Sequence, residues 1–288
     1  MAVYEVAKSR GMDVVTLTDH DTIDGCLALL NAHPLDDFFV SEEVSCVWPG
    51  ADLQVHLGVY GMTEALHRQL QPLRGDVFAV IDALTASDVF FSLNHLFHFY
   101  REQVPLETYL RLLSLVPAVE ARNGTMLRAH NELIARLARG WPHHAGLQVQ
   151  PPVALLGGSD AHTLRRVGQT WTQSQGATGA EFLGSLRQGL AEPGGNHGTA
   201  MTVAGDTYGV VARYAASLLG YGPRDHRGWA RAACLAFVAV SAPAQFLPML
   251  IALQGKRGER LMIARAIDAL AEHTPVPATV ASRMTGSR

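Results

Sequence analysis

Two short polar clusters, Asp19-His20-Asp21 and Asp160-Ala161-His162, each follow an apolar run. Val14-Val15 and Leu17 precede the first, and Val153-Ala154-Leu155-Leu156 with Gly157-Gly158-Ser159 lead into the second. Such runs read as buried strands, and α/β folds place their chemistry at the carboxyl ends of strands. Glu43, His56 and His95 sit in or close further β-like runs. Imidazole and carboxylate together suit zinc, manganese or iron, and a carboxylate can bridge two ions. A lone histidine on an apolar strand is usually a satisfied core residue. Seven such polar residues, each expected at a strand end, point instead to one metal site fed by distant parts of the chain. The glycines before Asp160 allow the backbone close to a bound ion or phosphate.

The rest of the composition narrows the class. A chain of 288 residues is long enough for one sizeable core with a smaller appendage. Its net charge of -3 gives no electrostatic reason to expect nucleic acid as a partner. Cys26, Cys46 and Cys234 are odd in number and far apart, which indicates neither a disulfide framework nor a cysteine zinc site. Residues 1–13 have no apolar central region, so no secretory signal is expected and the cytoplasm is the default setting.

These ligands need a frame. Residues 2–10 read as an amphipathic helix stopped by Gly11, an odd opening for an α/β chain. Strands are expected over 38–47, ended by Pro49-Gly50, and over 53–61, 89–95, 118–121 and 153–160. Helices are expected over 64–85 with a break at 72–75, over 106–115 and over 126–139, followed by a loop over 141–152. The alternation predicts a parallel α/β architecture. From Glu192-Pro193-Gly194-Gly195 the composition shifts to Ala, Leu and Val, with helices expected over 199–219, 227–254 and 261–272 and a disordered tail after Pro275. The boundaries are therefore 1–192 for a hydrolase-like domain and 193–288 for a helical extension.

Taken together, Thr18-Asp19-His20-Asp21-Thr22, Glu43-Val44-Ser45, Val55-His56-Leu57-Gly58, Asn94-His95, Val119-Glu120 and Gly158-Ser159-Asp160-Ala161-His162 resemble the polymerase and histidinol phosphatase (PHP) superfamily of metal-dependent phosphoesterases over residues 1–189. The resemblance implies a distorted (β/α)7 barrel with two or three divalent ions (manganese, zinc or iron) at its carboxyl-end mouth. It makes His20, Glu43, His56, His95, Asp160 and His162 the ligands, with Glu43 bridging, and Asp19 a residue that orients His20. The implied reaction is hydrolysis of a small-molecule phosphate ester by metal-activated water, with Asp160 or His162 relaying a proton. Arg122, Arg165 and Arg166, just past strand ends, are candidates to grip the phosphate.

One family feature has no counterpart. The opening strand with its His-x-His pair is missing, so the expected barrel lacks its first strand. The adopted reading is that the true start lies upstream; the other is real loss of part of the site. The rival function follows from the second: a non-catalytic regulatory or membrane-associated protein with a vestigial metal site. Residues 232–255 contain no charge, a length in the range of a membrane span, although Pro243 and Pro248 would kink it. A soluble helical appendage is the preferred reading, with 229–255 a contact surface for a homo-oligomer or a membrane.

Overall fold

A computed structural model of the chain describes every residue except 52, 99, 100, 102, 145–153, 222–227, 241–245 and 274–288. The element order is α1 (Ala2–Ser9), β1 (Val15–Leu17), α2 (Asp24–Ala32), β2 (Phe38–Trp48), β3 (Leu53–Tyr60), α3 (Glu64–Leu70), α4 (Val77–Ala86), β4 (Phe90–Leu93), α5 (Leu106–Ser114), β5 (Ala118–Asn123), α6 (Arg128–His144), β6 (Ala154–Gly158), β7 (Thr170–Gln173), α7 (Gly179–Arg187), β8 (Glu192–Gly195), α8 (Ala200–Leu218), α9 (Gly228–Val240) and α10 (Leu247–His273). Strands β1 to β6 form one six-stranded sheet in sequence order, and β7 and β8 form a separate two-stranded ribbon. The mixed α/β fold expected from the sequence is present, as a six-stranded sheet with helices around it.

The sheet is not wholly parallel. β1 pairs parallel with β2, and β4, β5 and β6 pair parallel in turn, but β3 runs antiparallel to both neighbours. The cause is local. Pro49-Gly50 and the short link to Leu53 turn the chain directly back, and so short a connection can only join antiparallel strands. β2 and β3 thus form a long hairpin with eight paired positions from Ser41↔Tyr60 to Trp48↔Leu53.

Packing follows the apolar faces. A large core holds Val44, Leu57, Leu84, Leu93, Leu112 and Ile134 between the sheet and helices α4 to α6, and Ile263 and Ala266 of α10 belong to it. Removing such side chains from water contributes roughly 1.5–3 kcal/mol apiece. A smaller cluster around Ala7, Val15, Leu29 and Phe38 seats α1 and α2 on β1. The ribbon lies close against β6: the Gly157 amide donates to Thr172 Oγ1 (2.9 Å), and that hydroxyl donates back to the Gly157 carbonyl (2.9 Å).

Three expectations change at the level of elements. Residues 141–144, placed in a loop by Gly140 and Pro142, continue α6 to His144, while 145–152 lie outside the described residues. The expected break between 254 and 261 is absent: α10 is one helix of 27 residues. Pro248 falls in its first turn, where a missing N–H breaks no helical bond, and Gly255 and Gly258 are carried by packing against α6 and α8. Residues 192–195, read as a change of composition, are strand β8 paired with β7. The tail after Pro275 falls outside the described residues, as do 241–245 of the uncharged stretch. Among the described residues no helix is long and apolar enough to cross a membrane.

The contact between β6 and the ribbon is so close that a methyl group on Gly157 would overlap the Trp171 carbonyl. Gly157→Ala is expected to destabilise the fold by about 1–3 kcal/mol through overpacking against rigid backbone, read as a lower urea midpoint at unchanged slope.

Candidate metal centre and its cavity

β1 ends at Leu17, and the chain turns through Asp19, His20 and Asp21 beside the middle of β2. A bridge pairs His20 with Glu43; the Glu43 amide donates to the Asp19 carbonyl (3.1 Å), and the Asp21 amide to the Glu43 carbonyl (3.0 Å). Asp21 takes a left-handed conformation (φ 58°). Its carboxylate accepts from the Ser45 amide (2.8 Å) and from Arg74 Nη2 (2.5 Å), which pins the turn to β2.

The sequence expectation put every ligand at the end of its strand. Glu43 and His56 are instead mid-strand, because the β2–β3 hairpin projects beyond the ends of β1 and β4. The Ser45↔His56 pairing brings His56 back to the level of Glu43. The hairpin's overhang, not a strand terminus, carries these two groups to the site.

At the centre is Glu43, whose side chain is 10 % exposed. Its Oε2 lies 3.5 Å from His20 Nε2, and its Oε1 lies 3.6 Å from His56 Nδ1 and 3.1 Å from His95 Nε2. Asn94 Nδ2 donates to the same Oε1 (2.9 Å), and Asn94 Oδ1 accepts from Ser92 Oγ (2.7 Å). His56 stands edge-on to His20 on one side and to His95 on the other, each pair of ring centroids 5.0 Å apart. Burial alone would raise the Glu43 pKa, but the hydrogen bonds and charge of the imidazoles outweigh it and hold the carboxyl well below its usual range. Burial would likewise lower the His95 pKa, yet Glu43, with Glu120 and Asp160 nearby, raises it to about 9. Burial pushes Glu120 up to about 8.

The second cluster faces the same space from β6. Asp160, in a left-handed conformation (φ 45°), accepts at Oδ2 from Thr125 Oγ1 (2.7 Å) and Asn123 Nδ2 (3.3 Å). His162 is exposed, its Nδ1 3.1 Å from the Asp160 carbonyl and 3.7 Å from Oδ1. Asp160, His162 and the Glu43 cluster all line one cavity of about 870 Å³.

Donor chemistry fits a divalent ion. Ligand atoms of His20, Glu43 and His56 lie within 4.8 Å of one another, and the set is two imidazoles and a carboxylate. His95 approaches the same carboxylate and would extend the set.

Other sequence candidates stand elsewhere. Asp19 is exposed, its carboxylate against Gly25 at the start of α2. Arg122 donates to the Gly195 carbonyl (3.1 Å). Arg166 is buried, donating to the Gly124 carbonyl (2.5 Å) and Gln169 Oε1 (2.6 Å) and facing Asp206 (3.8 Å). Neither these two arginines nor Arg165 lines the cavity. The cation that does is Lys256 of α10, 11 % exposed. Its Nζ donates to the Thr125 carbonyl and to Glu259 Oε2, both at 2.5 Å. Glu259 Oε1 accepts from the Leu127 amide (2.7 Å) and lies 3.2 Å from His130 Nδ1. Nothing local signals this: Lys256 and Glu259 lie about a hundred residues past the site motifs. His98, which also lines the cavity 5.3 Å from the His95 ring, had no family position to mark it.

Burial would raise Glu259, but His130 and Lys256 hold its pKa below the ordinary value, and burial lowers that of His130. A depressed carboxylate stabilises the fold above about pH 4.3 and loses that contribution as pH falls through its folded pKa. A depressed histidine contributes above about pH 6.5 and loses its contribution on the way down. Both act in one direction, so this pair's contribution to thermal stability is expected to fall below about pH 6.5 through His130 and again below about pH 4.3 through Glu259. Glu120, raised to about 8, contributes with the opposite sign between about pH 8 and about pH 4.3. Glu259→Gln should lower stability at pH 7 by about 1–3 kcal/mol and flatten that acid dependence in calorimetric melts.

Comparison with known proteins adds a family. Residues 152–190, from β6 through Asp160 and His162 to the end of α7, match the family model described as PHP-associated. A solved two-domain protein from Bacteroides vulgatus containing a predicted PHP-like metal-dependent phosphoesterase is 13% identical, with a TM-score of 0.45 over 72% of this chain. The alignment spans 64% of that protein's length. No curated protein matches the chain. The PHP-associated match is confined to residues 152–190, the stretch that carries Asp160 and His162.

Proposed function

We propose that this chain is a metal-dependent phosphoesterase that hydrolyses a small-molecule phosphate ester. The observation that carries the reading is the convergence of His20, Glu43 and His56 on one point, with His95 on the same carboxylate. Four successive strands and their loops supply these groups, and a buried acid among imidazoles has few structural purposes that a hydrophobic residue would not serve better.

His20, Glu43 and His56 would hold the metal, the two Glu43 oxygens facing different imidazoles. A divalent cation there supplies Lewis acidity toward the phosphoryl oxygens and lowers the pKa of water. Asn94 fixes the rotamer of the Glu43 carboxylate. Asn123 and Thr125 do the same for Asp160. His162, exposed with Nδ1 turned to the Asp160 carbonyl, leaves Nε2 to take the proton released by the attacking water and pass it to the leaving oxygen. In the balanced reaction water adds to phosphorus, the ester P–O bond breaks, and the proton ends on the alcohol.

The full chain, loaded with manganese, is expected to hydrolyse 4-nitrophenyl phosphate and to lose this activity on chelation. Asn94→Ala, which frees the carboxylate without removing a ligand, should weaken manganese affinity about 10–100-fold by calorimetric titration. Tight manganese binding at this site with no turnover of any phosphate ester would instead identify a metal-holding protein without catalysis.

A further inference from the structure

The cavity has two unlike walls. One is the polar wall of the Glu43 cluster, Asp160 and His162. The other comes from α8 and α10 and presents Val203, Val210, Ile251, Ala252 and Met262. The polar residues on that wall are already engaged. Asp206 accepts from Thr163 Oγ1 (2.7 Å) and faces Arg166. Thr207 donates to the Val203 carbonyl of its own helix (3.0 Å), and Glu259 is held by Leu127, His130 and Lys256. What the helices offer a ligand is therefore hydrocarbon, with Lys256 at the cavity, whose ammonium spends two N–H groups on Thr125 and Glu259 and has a third.

Two glycines also border that space. Gly255 and Gly258 line the cavity from the interior of α10, and a Cβ at either would meet nothing within 4 Å. Both are exposed, so a larger side chain at either has room and would extend into open space beside the cavity. The volume, about 870 Å³, lies in the range of sites that enclose a whole small molecule.

We propose that the substrate is the phosphate monoester of an apolar alcohol, aryl or branched alkyl. Its phosphate lies at the Glu43 wall within reach of Lys256, and its hydrocarbon lies against α8 and α10. A sugar or nucleoside ester would bring hydroxyl and amide groups to a wall with no partners for them, at a desolvation penalty. This inference rests on the phosphoesterase reading and specifies the alcohol.

The manganese-loaded full chain is titrated calorimetrically with inorganic phosphate, benzylphosphonate and 2-hydroxyethylphosphonate, the last two being non-hydrolysable. Benzylphosphonate should bind at least about tenfold more tightly than its polar counterpart, roughly 1.4 kcal/mol. Gly255→Leu, which improves the helix and keeps it folded by circular dichroism, should bring that ratio close to one by crowding the apolar half it borders. Ile251→Glu, at an exposed position, should reduce the ratio as well. Equal affinity for the two phosphonates in the unaltered chain, or a ratio that survives Gly255→Leu, overturns the assignment of the alcohol while phosphate binding leaves the hydrolase reading standing. Failure of all three to bind overturns both.

Discussion

A carboxylate held almost out of water needs compensation from every side, and Glu43 receives it from three segments of chain. His20 comes from the turn after β1, His56 from β3, and Asn94 and His95 from the turn after β4. An unpaired charge at that depth would be strongly unfavourable, so the register of the first four strands and the position of this one group constrain each other. A slip of β3 by one residue would turn His56 to the opposite face and remove one of the three imidazoles. Stability of the sheet and competence of the site are here one interaction.

The backbone around the site shows the same constraint. Of the four non-glycine residues with positive φ among the described residues, Asp21, His95 and Asp160 lie at the site or pin it. Left-handed backbone is unfavourable for such residues, of the order of 1 kcal/mol or more each, and is retained where side-chain bonds over-determine it. Asp21 is held by Ser45 and Arg74, Asp160 by Thr125 and Asn123, and the His95 amide by Glu120 (3.2 Å). His95 and Asp160 line the cavity, while the Asp21 carboxylate pins its turn to β2.

The helical extension completes the site from outside the sheet. Ile263 and Ala266 reach the main core, while Lys256 and Glu259 tie α10 to the start of α6 through Thr125, Leu127 and His130. Thr125 also bonds Asp160, so one residue joins the extension to the metal-side wall. Composition changes near residue 193, yet β8 is still paired with β7 there, and α8 and α10 form half of the cavity.

Read alone, the sequence specified most elements up to β6, because apolar runs and turn residues act over a few positions, and it marked none of β7, α7 and β8. It also named the residues that meet at Glu43, since imidazole and carboxylate beside β-like runs have few other uses. It misplaced Glu43 and His56 at strand ends, because overhang depends on how far a hairpin extends past its neighbours, and only pairing decides that. It assigned Arg122 and Arg166 to phosphate because a guanidinium near a strand end looks available in one dimension. Folding spends the first on Gly195 and the second on Gly124, Gln169 and Asp206. Lys256, which lines the cavity, comes from a helix far along the chain, where no local pattern marks it. Residue types are a local property and carry the chemistry; which of them share a cavity depends on long-range packing, which the tertiary structure alone decides.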